Sequence, residues 1–373
     1  MAKQLHIICL DVPFPVDYGG VFDLFYKITA LHAAGIEIHL HCFEYGRGEQ
    51  VELNKYCKSV HYYKRKEGHK GFSTRVPYIV GSRISEELMQ NLLKDDHPIL
   101  IEGVHCSWIT NDPRFADRKM ILRAHNVEYL YYKKLARSTN NLFKKIYYLL
   151  ESRSLKKYEA SLAKKVPILT VSEQDMKIFQ KEFGAKAVSY LPVFTPFNEV
   201  TSQSGVGCFC LYHGNLSVEE NLRSATFLLT EVFNDINIPF VVAGKNPPAH
   251  LEQLAHSKKH TCIVSNPGWQ EMQDMIEKAQ INIIPSFNNT GIKLKLVNVL
   301  FNGRHCVVNE ATVQGTGMEA ACHSAASAAA MKSLILQLYH QPFPEEEVTL
   351  RKKILGSTFN NEQNVQRLLT WLY

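Results

Sequence analysis

Two lysines on alternate positions follow a glycine in "IIPSFNNTGIKLKLVNVLFNG", residues 283 to 303. An apolar run closes at Pro285, a polar loop follows, and Gly291 leads into a segment with helical spacing that carries Lys293 and Lys295. Free amides at a helix start, beside a glycine that lets backbone approach a ligand, can cradle an anion. Lysines on an amphipathic helix ordinarily form a solvated face. Here they stand at the amino-terminal end, where the helix dipole disfavours cations unless an anion is near. That mismatch predicts a phosphate site.

Other candidates also follow apolar runs. Gly19 and Gly20, in "DVPFPVDYGGVFDLF", precede a segment of helical spacing, although two prolines and a Gly-Gly also make an ordinary surface turn. His125 closes "MILRAH", next to Asn126 and three residues before Glu128. A histidine there can donate to a substrate hydroxyl or carry a proton near neutral pH, or it can be a satisfied structural residue. His105, in "IEGVHCSW", lies just past another apolar run with Glu102 close by, in a segment that could equally be a buried turn. The chain has no G-x-G-x-x-G after its first apolar run and no G-x-x-x-x-G-K-S/T, which disfavours a dinucleotide dehydrogenase and a P-loop ATPase.

The elements that must position these residues alternate in type. Apolar, β-branched runs recur at 5–10, 36–43, 59–64, 98–103, 120–125, 167–172 and 187–192, and again at 208–214, 239–244, 261–265, 281–286 and 305–309. Segments with helical spacing separate them, such as 21–35, which ends on a glycine suited to a helix cap. The alternation predicts βαβ units and mainly parallel sheets. At 373 residues the chain is long for one core, so two domains are expected. The reading is a first Rossmann-like domain at 1–192, a Pro/Ser/Thr/Gly-rich linker at 193–207, and a second Rossmann-like domain at 208–357. A terminal helix follows at 358–373, and the chain is read as helical from about Ser324. Two such domains put a cleft between two sheets, with ligands beyond the carboxyl ends of the strands.

No apolar run approaches the roughly 18 to 20 residues that cross a bilayer. The opening run ends at Asp11, too short for a signal-peptide core. Nine cysteines, odd in number and without paired spacing, argue against both a disulfide framework and a zinc site and read as free thiols in a reducing cytoplasm. The net charge of +6 is modest but uneven, with ten Lys and Arg against Glu151 and Glu159 between Lys133 and Lys165. A smaller basic run, "KRKEGHK", spans 64 to 70. The larger region, with Phe143, Ile146, Tyr147, Leu149 and Leu150 among its cations, is either a core-packed helix with a solvated face or a contact with anionic lipid. No nucleic-acid partner is expected.

With these residues in view, the chain resembles the GT-B glycosyltransferases, specifically the retaining family 4 type. The family's second-domain pattern lies without a gap over Pro285, Gly291, Lys293, Lys295, Leu296, Asn298, Val299 and Gly303. "YHGNLSVEENLRSATFLL" is similar to the loop and helix that open the family's second domain, and "VVAGKNPP" to its next strand and loop. "RAHNVE", "LTVSEQD" and the terminal "GSTFNNEQNVQRLLTWLY" are similar to segments that occur there in the same order. The resemblance implies a nucleotide-diphosphate sugar as donor, transfer with retention, no cofactor and no metal. It also implies a saccharide or lipid-linked acceptor, a role in cell-surface glycan synthesis, and a place in the cytoplasm at the inner face of the membrane. Gly20 and Lys295 would meet the diphosphate and His125 the transferred sugar, with Gly19, Asn215, Gly291, Lys293 and Asn298 completing the donor side and Glu102 and His105 on the acceptor side.

Three departures accompany the resemblance. Phe287 stands where a basic residue is usual, Asn215 and Asn221 lie in a loop where relatives carry Arg and Lys, and Asn298 replaces the glutamate that holds the donor ribose. They leave open a second reading, a relative that binds a saccharide or partner without transfer. A non-hydrolysing sugar-nucleotide epimerase would need facing acid and base carboxylates, and no convincing pair is evident.

Overall fold

The computed structural model describes residues 2–16, 19–68, 76–139, 141–288 and 291–373. Parts of four segments singled out above therefore lie outside the described residues: Asp17 and Tyr18, His69 and Lys70, Asn140, and Asn289 and Thr290. The chain divides into two compact units, Met1–Pro196 with Phe359–Tyr373, and Phe197–Thr358.

The first unit is built on seven strands: β1 (Gln4–Cys9), β2 (Glu37–Glu44), β3 (Ser59–Lys64), β4 (Ile99–Glu102), β5 (Met120–Ala124), β6 (Ile168–Thr170) and β7 (Val188–Tyr190). They pair in parallel in the order β3-β2-β1-β4-β5-β6-β7. Strands buried on both faces need continuous apolar runs, and β1 and β4 supply them. One face packs on Leu24, Ile28 and Leu31 of the Gly19–Ala33 helix. That helix ends as its sequence predicts, with Gly35 at φ 78° and the amide of Ile36 donating to Leu31 O. Val365, Leu368 and Leu372 of the terminal Asn361–Leu372 helix join the same core. Asn361 fastens that helix by donating to Thr195 O at 2.7 Å and accepting from Thr195 N at 3.2 Å.

The second unit repeats the design with β8 (Cys210–Asn215), β9 (Phe240–Lys245), β10 (Thr261–Ser265), β11 (Ile281–Ile284), β12 (His305–Val308) and β13 (His323–Ser324). Their order is β10-β9-β8-β11-β12-β13, all parallel. Both sheets thus have the doubly wound order, and each reverses direction beside its first strand, at β1/β4 and at β8/β11.

Two boundaries differ from expectation. His323 and Ser324 form a short edge strand instead of opening a helix, and the next helix runs over Ala328–Leu338, capped by Ser327. The segment 193–207 is not a free linker. Val193 and Phe194 are buried in the first unit, while Ser202 N donates to Phe301 O and Gly205 pairs with Phe343 in the second. Its Pro/Ser/Thr/Gly composition encodes extended, anchored chain.

Candidate functional site

In the first unit the candidates gather at the carboxyl ends of the strands that flank its reversal point. β4 ends on Glu102, β5 delivers His125 one residue past its end, and Gly19 and Gly20 open the helix after β1. His125 Nε2 lies 2.9 Å from Glu102 Oε2. Only the ring N–H can donate there, so Nε2 carries the proton and Nδ1 is the nitrogen left for chemistry. Glu102 is fully buried, and its other oxygen accepts from Lys27 Nζ at 2.8 Å. Glu102 therefore orients His125, and both its oxygens are taken by partners within the first unit. His105 sits beside it, its ring partly buried and Nδ1 without a hydrogen-bond partner among the described residues. Burial, with Arg83 and His125 nearby, holds His105 well below the usual imidazole range, so its ring is neutral. Gly103, at φ 85°, leaves room for both rings: a Cβ there would stand 3.2 Å from His105 Nδ1 and 3.9 Å from His125 Nδ1.

Sequence reasoning missed the charged cluster beneath His125. Lys27 Nζ also donates to Asp23 Oδ2 at 2.9 Å, and Asp23 accepts from Arg123 Nε at 3.1 Å and from Phe194 N at 2.8 Å. Burial alone would raise the Asp23 carboxyl, but Arg123 and Lys27 outweigh it and hold Asp23 well below the carboxylate range. Asp23, Glu102 and His125 place their ligand atoms within 4.8 Å of one another. The two cations already occupy both carboxylates, so this cluster suits an oriented imidazole better than a metal. The available signal was a pair of charges one turn apart, Asp23 and Lys27, in an otherwise apolar helix. Glu128, the carboxyl three residues on from His125, is buried and pushed up to about 7 by that burial.

In the second unit, Asn215 ends β8, and Lys293 caps the Leu294–Asn302 helix that follows β11. Both sit at the reversal point of that sheet. Gly291 takes the left-handed conformation, φ 62°, which its sequence position required. Lys295 Nζ donates to Asn221 Oδ1 at 2.8 Å and to Tyr212 Oη at 3.2 Å, and lies 4.7 Å from the Tyr212 ring centre. Asn221 Nδ2 in turn donates to Asn215 O at 2.9 Å, while Asn215 Oδ1 accepts from Ser217 N and Oγ at 3.1 and 2.8 Å. The asparagines that replace the family's cations thus form a scaffold for Lys295. Burial, opposed by Glu220 and assisted by Lys293, pushes the Lys295 ammonium down to about 8. Glu220 lies 3.9 Å from Lys293 Nζ and accepts from Ser286 Oγ at 2.7 Å. His213, behind Lys295, is held neutral by burial, its Nε2 unpartnered among the described residues.

Phe287 and Asn298 also find explanations. The Arg223 guanidinium, from the Glu219–Phe227 helix, lies 4.1 Å from the Phe287 ring centre, so a cation stands beside the position that lacks one. Asn298 is nearly buried, and its Oδ1 accepts from Asn302 Nδ2 at 2.7 Å. Asn302 Oδ1 then accepts from Thr201 Oγ1 at 2.8 Å.

The basic region is one long helix, Leu142–Leu162, after Glu128–Ser138. Its second half is anchored by Leu155, Glu159 and Leu162. In its first half, Phe143 is 85 % exposed, Leu142 66 % and Leu150 58 %, beside exposed Lys144 and Lys145. A core-packed role is excluded for those turns. No helix among the described residues is long and apolar enough to cross a membrane.

With both sheets and their strand-end residues in place, comparison with known proteins gives the class. No protein-family model matches the chain. It is 25 % identical over 334 residues to an uncharacterized 44.6 kDa protein in the cps region of Klebsiella pneumoniae, covering 85 % of each. Among solved structures it is similar to HepE from Anabaena in complex with UDP and glucose, with a TM-score of 0.67 at 10 % identity over 99 % of both chains. It is also similar to a variant of TarM from S. aureus in complex with fondaparinux, alpha-GlcNAc-glycerol and UDP, with a TM-score of 0.67 at 10 % identity over 100 % of both. The chain has the GT-B glycosyltransferase fold.

Proposed function

We propose that this protein is a glycosyltransferase that moves a sugar from a nucleotide-diphosphate donor to a saccharide or lipid-linked acceptor, with retention, in cell-surface glycan synthesis. The observation that carries the proposal is Lys295, a part-buried ammonium held by neutral partners at the start of a helix. Such a cation is prepared for an anion rather than consumed by an internal ion pair. The fold adds support, since the similar HepE and TarM structures carry UDP.

In this reading Lys295 and Arg223 bind the diphosphate and stabilise its charge as the bond to the sugar breaks, with Gly291 and the helix amides as further donors. This chain's own cations and helix end supply that stabilisation, so the reading calls for no metal. His125, fixed through Glu102, presents Nδ1 toward the reacting sugar. The exposed apolar and basic turns at 142–150 support a peripheral contact with the anionic inner face of a membrane, where a lipid-linked acceptor would be found.

One observation favours the alternative of a non-transferring relative: Asn298 spends its amide oxygen on Asn302. Incubating the purified protein with a panel of nucleotide sugars and following release of nucleoside diphosphate separates the two. Slow hydrolysis of one donor supports the transferase. Binding without any release supports the alternative.

A further inference from the structure

A second group of chemically competent side chains lies in the second unit, apart from the donor half-site. His305 opens β12, His323 opens the edge strand β13, and Glu347 lies in the first turn of the Glu345–Thr358 helix. His305 Nδ1 stands 3.3 Å from His323 Nε2, which stands 3.6 Å from Glu347 Oε2. All three ligand atoms lie within 4.8 Å of one another.

We propose that His305, His323 and Glu347 form a zinc site that ties the edge strand and the following helix to the sheet. Three features carry this. First, His305 Nε2 donates to Gln341 O at 3.1 Å, which fixes the ring as the tautomer whose Nδ1 is a bare lone pair. A backbone carbonyl holding the far nitrogen is the usual support of a metal-bound imidazole. Second, the spacings suit ligands of a common ion. Ligands 2.0 to 2.1 Å from a tetrahedral Zn²⁺ stand about 3.3 to 3.4 Å apart, and 3.3 and 3.6 Å are long for direct hydrogen bonds. Third, the donor set is complete in charge and softness. Two imidazoles and a carboxylate suit Zn²⁺, with a fourth position for water on the side where His323 and Glu347 are part-exposed.

Arg351, one turn on in the same helix as Glu347, donates to Gly303 O, Arg304 O and Ser202 Oγ. Cys306 and Cys322, next to the two histidines in sequence, are free thiols, the first buried and the second half-buried. The site stands where β12 begins, opposite the strand ends that face the donor half-site, so its expected role is structural. β13 has two residues and only two register partners, Val307 and Val308, so a metal would add a strong restraint to a weak edge.

The test uses the full chain, stripped with a chelator and titrated with Zn²⁺ against a chromophoric competitor, alongside thermal unfolding. The expected result is one Zn²⁺ per chain, a higher melting temperature with Zn²⁺, and loss of at least about tenfold in affinity in His323→Ala. Glu347→Gln, which keeps shape and removes the charge, makes the same test should His323→Ala fail to fold. Co²⁺ in place of Zn²⁺ should give a four-coordinate visible spectrum without thiolate charge transfer. No bound Zn²⁺, affinity unchanged in the folded variants, or a thiolate band that moves the ion to Cys306 and Cys322 would each overturn the assignment.

Discussion

His125 donates from Nε2 to Glu102 at 2.9 Å, and the same carboxylate takes Lys27 with its other oxygen. A charged network with no exposed carboxylate thus fixes one part-exposed imidazole. His125→Ala should lower turnover on a verified donor by about 10² to 10⁴ while nucleotide affinity stays within about twofold. Glu102→Gln should act differently, destabilising the first unit by about 3 to 5 kcal/mol in urea, because it leaves Lys27 with one carboxylate fewer. Full turnover in His125→Ala would return the histidine to a structural role.

A ladder of histidines crosses the amino-terminal part of the first sheet. His6 Nδ1 meets His41 Nε2 at 2.9 Å, and burial, only partly offset by Asp95, lowers His6 to about 4. Burial, with His6 and His61, also lowers His41 well below the usual value. A depressed imidazole contributes stability that is present above its unfolded value near 6.5 and is lost as pH falls toward the folded value. For His6 alone the loss between pH 7 and pH 5 is about 2 kcal/mol. Urea midpoints of the first unit should fall over that window, and less so in His6→Asn. Equal slopes in parent and variant would remove His6 from the explanation.

The exposed turns at 142–150 should make binding to anionic vesicles salt-sensitive, since Lys144 and Lys145 flank the apolar residues. Sedimentation with phosphatidylserine vesicles at low and high salt measures this. Replacing Phe143 and Leu150 with serine should abolish the binding without changing the fold, because neither side chain packs in a core. Retention by that double variant would place the contact elsewhere.

Asn298→Glu should tighten nucleoside-diphosphate binding about five- to tenfold, a difference of roughly 1 to 1.4 kcal/mol. One carboxylate oxygen would keep Asn302 as donor and the other would be left for a ribose hydroxyl. Calorimetry on parent and variant decides it. Unchanged affinity would mark Asn298 as the structural partner of Asn302 alone.

Periodicity in the sequence was enough to find twelve of the strands, because buried parallel strands must be written as apolar runs. It missed β13, whose two residues have no period to detect. Gly291, Lys293 and Lys295 were legible as a group because they stand within five residues of one another around the start of one helix. Asp23 and Lys27 were legible only as a charge pair one turn apart, because their partners Arg123 and Glu102 come from distant strands. Arg223 was hidden likewise: its place beside Phe287 depends on two elements packing, not on either sequence.

The central claim is that Lys295 receives a diphosphate, and calorimetric titration with UDP tests it most directly. The parent should bind at neutral pH, where an ammonium titrating at about 8 is charged. Lys295→Ala should lose roughly 1.5 to 3 kcal/mol, more than about tenfold in affinity, with its unliganded melting temperature unchanged. A parent that binds neither UDP nor any other nucleoside diphosphate, or a Lys295→Ala variant with the parent's affinity, would contradict the account.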